Sequence, residues 1–493
     1  MVVPNIKKEG GFVVSFFVCL AILLIGYIVY GRVVEKVFGP EINRPTPAIA
    51  HSDGIDYIPM KTWKSFLIQL LNIAGLGPIF GALSGAIWGP SVYLWIVFGT
   101  IFAGGVHDFL SGMLSVRNDG ASISEIVGIY LGKVMKNVMR IFSVILLVMV
   151  GVVFMVGPAG LLAKLTPNFM NITFWTIVVL IYYFLATLLP IDKIIGKLYP
   201  IFGACLIIMA VGIAGATIFN NGTNPMPEIT LSNLHPDGKP IWPLMFITVA
   251  CGAISGFHST QSPMIARCIE NEKNGRKIFY GAMVAEGVIA LIWASAGVAF
   301  YNGTEGLLSA GGGCSTTVYD MSIGLLGRVG GVLAMIGVIA CPITSGDTAF
   351  RSARLTIADW FKIDQKVIKN RLFLSVPLLT IGYLISLIDY QVVWRYFSWS
   401  NQTLAMIVLW AGAVYLAKYA GFAKPMSSLM AALPATFMSA VTCTYILYAD
   451  EGFKLSTSIS YPIGIIFAII CLTVFLFRTL IPALKASSNK VKL

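Results

Sequence analysis

Apolar stretches of about 20 residues recur from one end of this chain to the other, and that is the length a helix needs to cross a bilayer. We read thirteen, near residues 12–30, 64–86, 91–114, 138–163, 172–190, 199–219, 242–263, 277–300, 326–347, 372–389, 397–417, 428–447 and 460–482. Of 493 residues 57% are apolar and only 11% charged, too few to cover a soluble surface of this size. A soluble enzyme, a disordered chain and a nucleic-acid binder are excluded. The fold class is an all-α polytopic membrane protein with about 13 transmembrane helices. The segment 120–137 is more polar and reads as an amphipathic helix on one membrane face. The 12–30 stretch is too long for the apolar part of a signal peptide and has no small-residue cleavage site before Gly31 and Arg32.

Thirteen spans put alternate loops on opposite sides. One side collects 27 of the 34 Lys and Arg residues, including the 117–140, 267–277 and 351–371 segments and the C-terminal tail. The other has seven: Lys7, Lys8, Lys164, Lys239, Arg328, Arg395 and Lys454. Basic loops stay in the cytoplasm, so the C-terminus is expected there and the N-terminus outside. Lys7 and Lys8, just before the first span, point the other way. The +12 net charge reads as this cytoplasmic face against membrane lipid. Eight scattered cysteines, Cys19, Cys205, Cys251, Cys268, Cys314, Cys341, Cys443 and Cys471, contain no CxxC pair and read as small packing residues.

Two spans are interrupted. The second holds Asn72, Gly75, Gly77 and Pro78, then Gly81 and Gly85; the seventh holds Gly252, Ser255, Gly256 and His258 through Pro263. Glycine loosens a helix and proline removes a backbone donor, so both are expected to unwind, around Gly75–Pro78 and Ser255–Thr260, and to face each other. Taken singly, each could be tight packing through small residues. Together they begin two sets of five spans, and five is odd, so the second set is inverted. Matching interruptions in two halves point to the binding site of a secondary transporter. The expected organisation is an extra span and cytoplasmic loop (1–63), a first five-helix repeat (64–219), an inverted second repeat (242–417), then two spans and a tail (418–493).

The stretches NIAGLGPIFGALSGAIWGP (72–90), LWIVFGTIFAGGVHDFLSGMLSVRNDGASISE (94–125), ACGAISGFHSTQSPMIARC (250–268), FYGAMVAEGVIALIW (279–293), CPITSGDTAFRSARLTIADW (341–360) and FSWSNQTLAMIVLW (397–410) resemble the carbon starvation protein A (CstA) family of membrane transporters. The resemblance implies an inner-membrane importer used when preferred carbon sources run out, associated with peptides and pyruvate, and a LeuT-type fold. It does not fix the substrate. The chain is shorter than the long enterobacterial members, so features of their C-terminal part do not carry over.

Ionisable groups inside spans are costly and mark function. The candidates for ion or proton coupling are His107, Asp108, His258, Glu286 and Asp347. Histidine exchanges protons near neutral pH and an adjacent acid tunes it; each could instead be a structural hydrogen bond. Two His and two Asp could hold zinc, but no close pair such as HxxxH is present, so no metal site is assigned. His51 and His235 sit in polar loops and are expected to be solvated. Thr344 and Ser345, with carbonyls freed near Ala74 and Leu76, have the hard oxygens that suit Na⁺; the resemblance to LeuT-type transporters places a sodium site between the first broken helix and this span, with Asp347 a nearby anion. They could equally cap a helix end.

A carboxylate-bearing nutrient suits the N-terminal end of a half-helix. Gly77, Pro78 and Gly81, with Gly256, Phe257, His258, Ser259, Thr260 and Gln261, are the expected substrate contacts. Trp88, Phe257, Trp293 and Trp399 are candidates to line the cavity. Asn401 and Gln402 could bind substrate or bond helices together. The leading function is an importer of peptide or pyruvate coupled to H⁺ or Na⁺, with no cofactor and no nucleic-acid partner. A channel and a nutrient sensor or receptor are the alternatives. An enzyme would lack a nucleophile or metal motif beside His107 and Asp108.

Overall fold

The computed structural model describes residues 13–53, 57–188, 192–312, 315–365, 367–420 and 424–491, with side chains described outside 188–200 and 489–491. Lys7, Lys8 and Cys314 lie outside the described residues. The remaining seven cysteines are free thiols. All regular elements of the described chain are helices, with no strand and one isolated bridge, Met60 to Ile269.

The first helix, α1 (Val14–Phe38), runs beyond the expected 12–30. The second span splits into α2 (Thr62–Ile73) and α3 (Gly77–Ala86), bent by 55°. Then come α4 (Val92–Arg117), the short α5 (Ile123–Leu131), α6 (Lys133–Leu165), α7 (Ile172–Leu188) and α8 (Asp192–Phe219). The seventh span is again in two pieces, α9 (Leu244–Thr248) and α10 (Gly256–Ala266). The rest is α11 (Glu272–Phe300), the short α12 (Thr304–Ser309), α13 (Ser315–Phe361, kinked at Gly327), α14 (Ile368–Ser386), α15 (Tyr390–Lys418), α16 (Leu429–Tyr448) and α17 (Thr457–Ser488).

Ten of the described helices are long and apolar enough to cross a membrane, and the bent pair makes an eleventh. The expected thirteen is not reached by that measure. Ile172–Thr187 is shorter, and the seventh span is divided into pieces of 5 and 11 residues. The amphipathic segment forms α5, whose Ile123, Ile126 and Val127 are buried. Gly132, at φ +93°, then turns the chain into α6.

Apolar side chains gain little by leaving lipid, so helices in a membrane associate through close packing of small residues. The core follows this rule. α4, α6, α11 and α15 are buried over most of their length, whereas α1, α14 and α17 present apolar faces outward. Four π-helical turns occur among the described residues, at Gly77–Gly81, Gly99–Gly104, Arg276–Tyr280 and Leu476–Leu480, in α3, α4, α11 and α17. Such turns re-aim the residues that follow and are frequent at functional sites. Those in α4 and α11 precede the buried His107, Asp108 and Glu286 described next.

Candidate functional site

The break in the seventh span occupies residues 249–255; of the expected Ser255–Thr260 only Ser255 is unwound, and α10 is helical from Gly256. Gly252, at φ +89°, makes the turn that starts it. Pro263 sits inside α10 without ending it. Seven non-helical residues inside a membrane protein leave backbone groups that need partners, and neighbouring helices supply them. Gln402 Nε2 donates to the carbonyls of Phe246 (2.6 Å) and Val249 (3.2 Å). Trp95 Nε1 also donates to Val249, and Thr100 Oγ1 donates to Gly252 (2.9 Å). Asn401 Oδ1 accepts the Phe257 amide (2.6 Å), capping α10 from another helix. Asn401 and Gln402 therefore hold the broken helix together. That amide is one the sequence reading offers to a substrate carboxylate, and in this structure a side chain already takes it.

Directly after the break lies a chain of buried acids and imidazoles. His107 Nδ1 is 2.7 Å from Asp108 Oδ1, and Asp108 Oδ2 is 2.8 Å from His258 Nδ1. His258 Nε2 stands 3.3 Å from a Glu286 oxygen, an ion-pair distance without hydrogen-bond alignment. All four side chains are 0% exposed. They come from α4, α10 and α11, so the sequence candidates His107, Asp108, His258 and Glu286 converge as a single row. Ser111 extends the row: its hydroxyl reaches Ser262 Oγ (3.3 Å), which in turn donates to the His258 carbonyl. Two carboxylates in low dielectric are costly unless protons or cations compensate them. The row can therefore hold a proton and pass it between imidazole and carboxylate without a large movement of atoms.

The first break, residues 74–76, touches the second through glycines. A Cβ on Gly77 would overlap Cys251, and Gly252 faces Pro78. Gly81 lies against the Thr248 carbonyl, and Gly256 against that of Asn401. Gly77, Pro78 and Gly81 are thus buried packing contacts here, as is Phe257 against Phe154. The hydroxyls of Ser259 and Thr260 donate back to Gly256 and Phe257, and Gln261 donates to Thr260. Asp347 is not part of the acid–imidazole row; it pairs with Arg351 at 3.2 Å. Its helix does approach the first break. Cys341 Sγ lies 2.9 Å from the Leu71 carbonyl and 4.0 Å from that of Ala74. Thr344 Oγ1 donates to Cys341, while the buried Ser345 Oγ has no hydrogen-bond partner among the described residues.

The four aromatic candidates do not share one cavity wall. Trp88 donates to the carbonyls of Lys239 and Pro240, and Trp399 to that of Thr442. Trp293 is fully buried. His51 is exposed and pairs with Asp119 at 3.4 Å. His235 is not solvated: it is buried edge-on against Trp88, and burial with the nearby Lys239 holds its imidazole below the ordinary value. One residue of the site was missed. Cys251 reads as a packing cysteine in an apolar run, yet its sulfur lies within 4.8 Å of ligand atoms on His258 and Glu286. Its place inside an interrupted helix, next to Gly252, is the signal that could have found it.

The family model for carbon starvation protein CstA matches residues 11–174 and 162–304. A Haemophilus influenzae protein described as "Uncharacterized membrane protein" is 42% identical over 351 residues, 61% of this chain and 95% of that one. The "Peptide transporter CstA" of Bacillus subtilis is 26% identical, over 81% of this chain and 84% of its own. The "Pyruvate/proton symporter BtsT" of Escherichia coli is 28% identical, over 55% of this chain and 47% of its own. Among solved structures, MhsT in complex with L-phenylalanine matches with a TM-score of 0.56 at 16% identity, over 83% of this chain and 97% of that one. Mhp1, a nucleobase-cation-symport-1 family transporter, matches with a TM-score of 0.52 at 14% identity, over 88% and 96%. These likenesses show the fold, which is LeuT-type.

Proposed function

The chain belongs to the carbon starvation protein CstA family, and from that premise we propose that it is a secondary active importer of a small carboxylate-bearing nutrient, coupled to protons. The observation that carries the reading is the buried row His107–Asp108–His258–Glu286, set directly after a broken helix. Asp108 holds both imidazoles, so a proton on either one is compensated by the same carboxylate. Rearrangement of α10 would change the His258–Asp108 contact and with it the affinity for that proton. Relatives named for peptide transport and for pyruvate/proton symport support both the nutrient class and the ion.

The substrate would be met where the two breaks adjoin, by backbone at Gly77–Gly81 and at Gly256–Gln261, once the packing there opens. The two breaks would head two inverted five-helix repeats, 64–219 and 242–417. A second reading, sodium coupling, rests on one specific contact: the α13 turn carrying Thr344 and Ser345 lies against the first break through Cys341. Uptake by purified protein in liposomes, with peptide and pyruvate compared under separate H⁺ and Na⁺ gradients, decides between them. Accumulation under a proton gradient without sodium is the expected result, and a strict sodium requirement would sink it. The basic loops are expected to be cytoplasmic. A cysteine replacing the exposed Lys369, in a background lacking other cysteines, should stay unlabelled by an impermeant reagent outside intact cells.

A further inference from the structure

We propose that Cys251, His258 and Glu286 form a binding site for a divalent transition-metal ion of the zinc and cobalt class, with Asp108 as the residue that orients the imidazole. One ligand atom from each residue lies within 4.8 Å of the other two, and all three side chains are buried. Coordination at the metal–ligand distances typical of zinc needs these atoms to close in by about 1 Å, a side-chain adjustment at the edge of an irregular segment.

The free valences agree. His258 uses Nδ1 on Asp108, so Nε2 is the atom turned toward the site, and it makes no hydrogen bond among the described residues. Neither Glu286 oxygen makes one either, though both are buried. A carboxylate on the far nitrogen of a histidine fixes its tautomer and raises its basicity, which is the usual second layer of a metal site. The Cys251 sulfur has a comparable support: Asn401 Nδ2 donates to it at 3.6 Å. With both imidazoles neutral and the Cys251 thiol proton released on binding, Asp108, Glu286 and the thiolate bring three buried negative charges, of which a divalent ion offsets two.

The ligand set also fixes the class of ion. A thiolate, an imidazole and one carboxylate suit Zn²⁺ or Co²⁺; Na⁺, Mg²⁺ and Ca²⁺ prefer all-oxygen shells. Three protein ligands leave a fourth position open, as in zinc sites that exchange what they hold. The site shares His258 with the proton row proposed above but does not depend on it.

Cobalt is the probe, supplied both during expression and to the purified metal-free protein, so that a closed conformation does not hide the site. The expected result is about one Co²⁺ per chain with a thiolate-to-cobalt charge-transfer band in the near ultraviolet. That band should be lost in Cys251→Ser and kept in Cys268→Ser. Glu286→Gln should weaken binding at least tenfold. X-ray absorption at the cobalt edge of the unsubstituted protein gives a check that needs no variant: one sulfur and one imidazole in the shell are expected. No band under either loading, a band retained in Cys251→Ser, or a shell of oxygen alone would overturn the proposal. Proton-driven uptake is a separate readout. Cobalt bound as expected with uptake unchanged would support the metal site and remove the proton row.

Discussion

The two broken spans solve the same problem by different means. The first is interrupted over residues 74–76 only, resumes in a π-helical turn, and is packed by glycines against its partner. None of its unwound residues, Ala74, Gly75 or Leu76, is polar. The second is open over residues 249–255 and is held by Trp95, Thr100, Asn401 and Gln402 from two other helices. A short interruption frees few backbone groups, and local helical turns recover most of them. A long one needs donors from outside. Those donors are polar, and they surround the second break with the kind of environment in which Asp108, His258 and Glu286 can sit. We propose that ion chemistry belongs to the second break; the first is a joint packed by glycines against it.

The largest effect that separates the two is expected at Asp108. Asp108→Asn keeps the shape but removes the carboxylate that both imidazoles share, leaving His107 with none and His258 with Glu286 alone. Accumulation under a proton gradient should fall to simple equilibration, while exchange of labelled for unlabelled substrate persists. Normal accumulation would move coupling away from the second break. Next is Asn401→Ala, which strips the Phe257 amide of its partner. In a membrane interior this should cost about 3 kcal/mol, read as a lowered melting temperature of the solubilised protein. A loss no greater than that of an outward-facing substitution such as Phe373→Ala would show that the second break is not held by side chains.

The smallest effects test the first break. Gly77→Ala places a Cβ on Cys251 and should destabilise by about 2 kcal/mol through overpacking. Gly81→Ala meets its nearest neighbour, the Thr248 carbonyl, at 3.3 Å, and should cost less than about 1 kcal/mol. Equal melting temperatures for the two variants would mean that the breaks do not rely on this contact.

Much of this was legible in the sequence because the signals were local. Apolar length marked the helices, and Gly75, Gly77, Pro78 and Gly252 marked both interruptions. His107, Asp108, His258 and Glu286 stood out because charge at membrane depth is expensive. The exact course of the second break was less accessible. The proline at 263 drew the reading toward α10, whereas the chain unwinds earlier, from Val249, where Gln402 donates to the Val249 carbonyl and Thr100 to that of Gly252. Partners of that kind are tertiary facts: residues 100, 252 and 402 are far apart in sequence. The same holds for Asn401, whose structural part could not be told from substrate binding, and for Cys251, which becomes chemical only beside His258 and Glu286. His235 was misjudged because loop polarity said nothing of Trp88 folding over it.

The claim that the second break carries the coupling ion is tested most directly by watching the proton itself. A pH-sensitive dye trapped inside liposomes containing the purified protein, in sodium-free buffer, reports the lumen when substrate is added outside. Acidification that tracks substrate entry is expected in the unsubstituted protein and no acidification in Asp108→Asn. Substrate entry with no acidification, or entry only when sodium is restored, would contradict it.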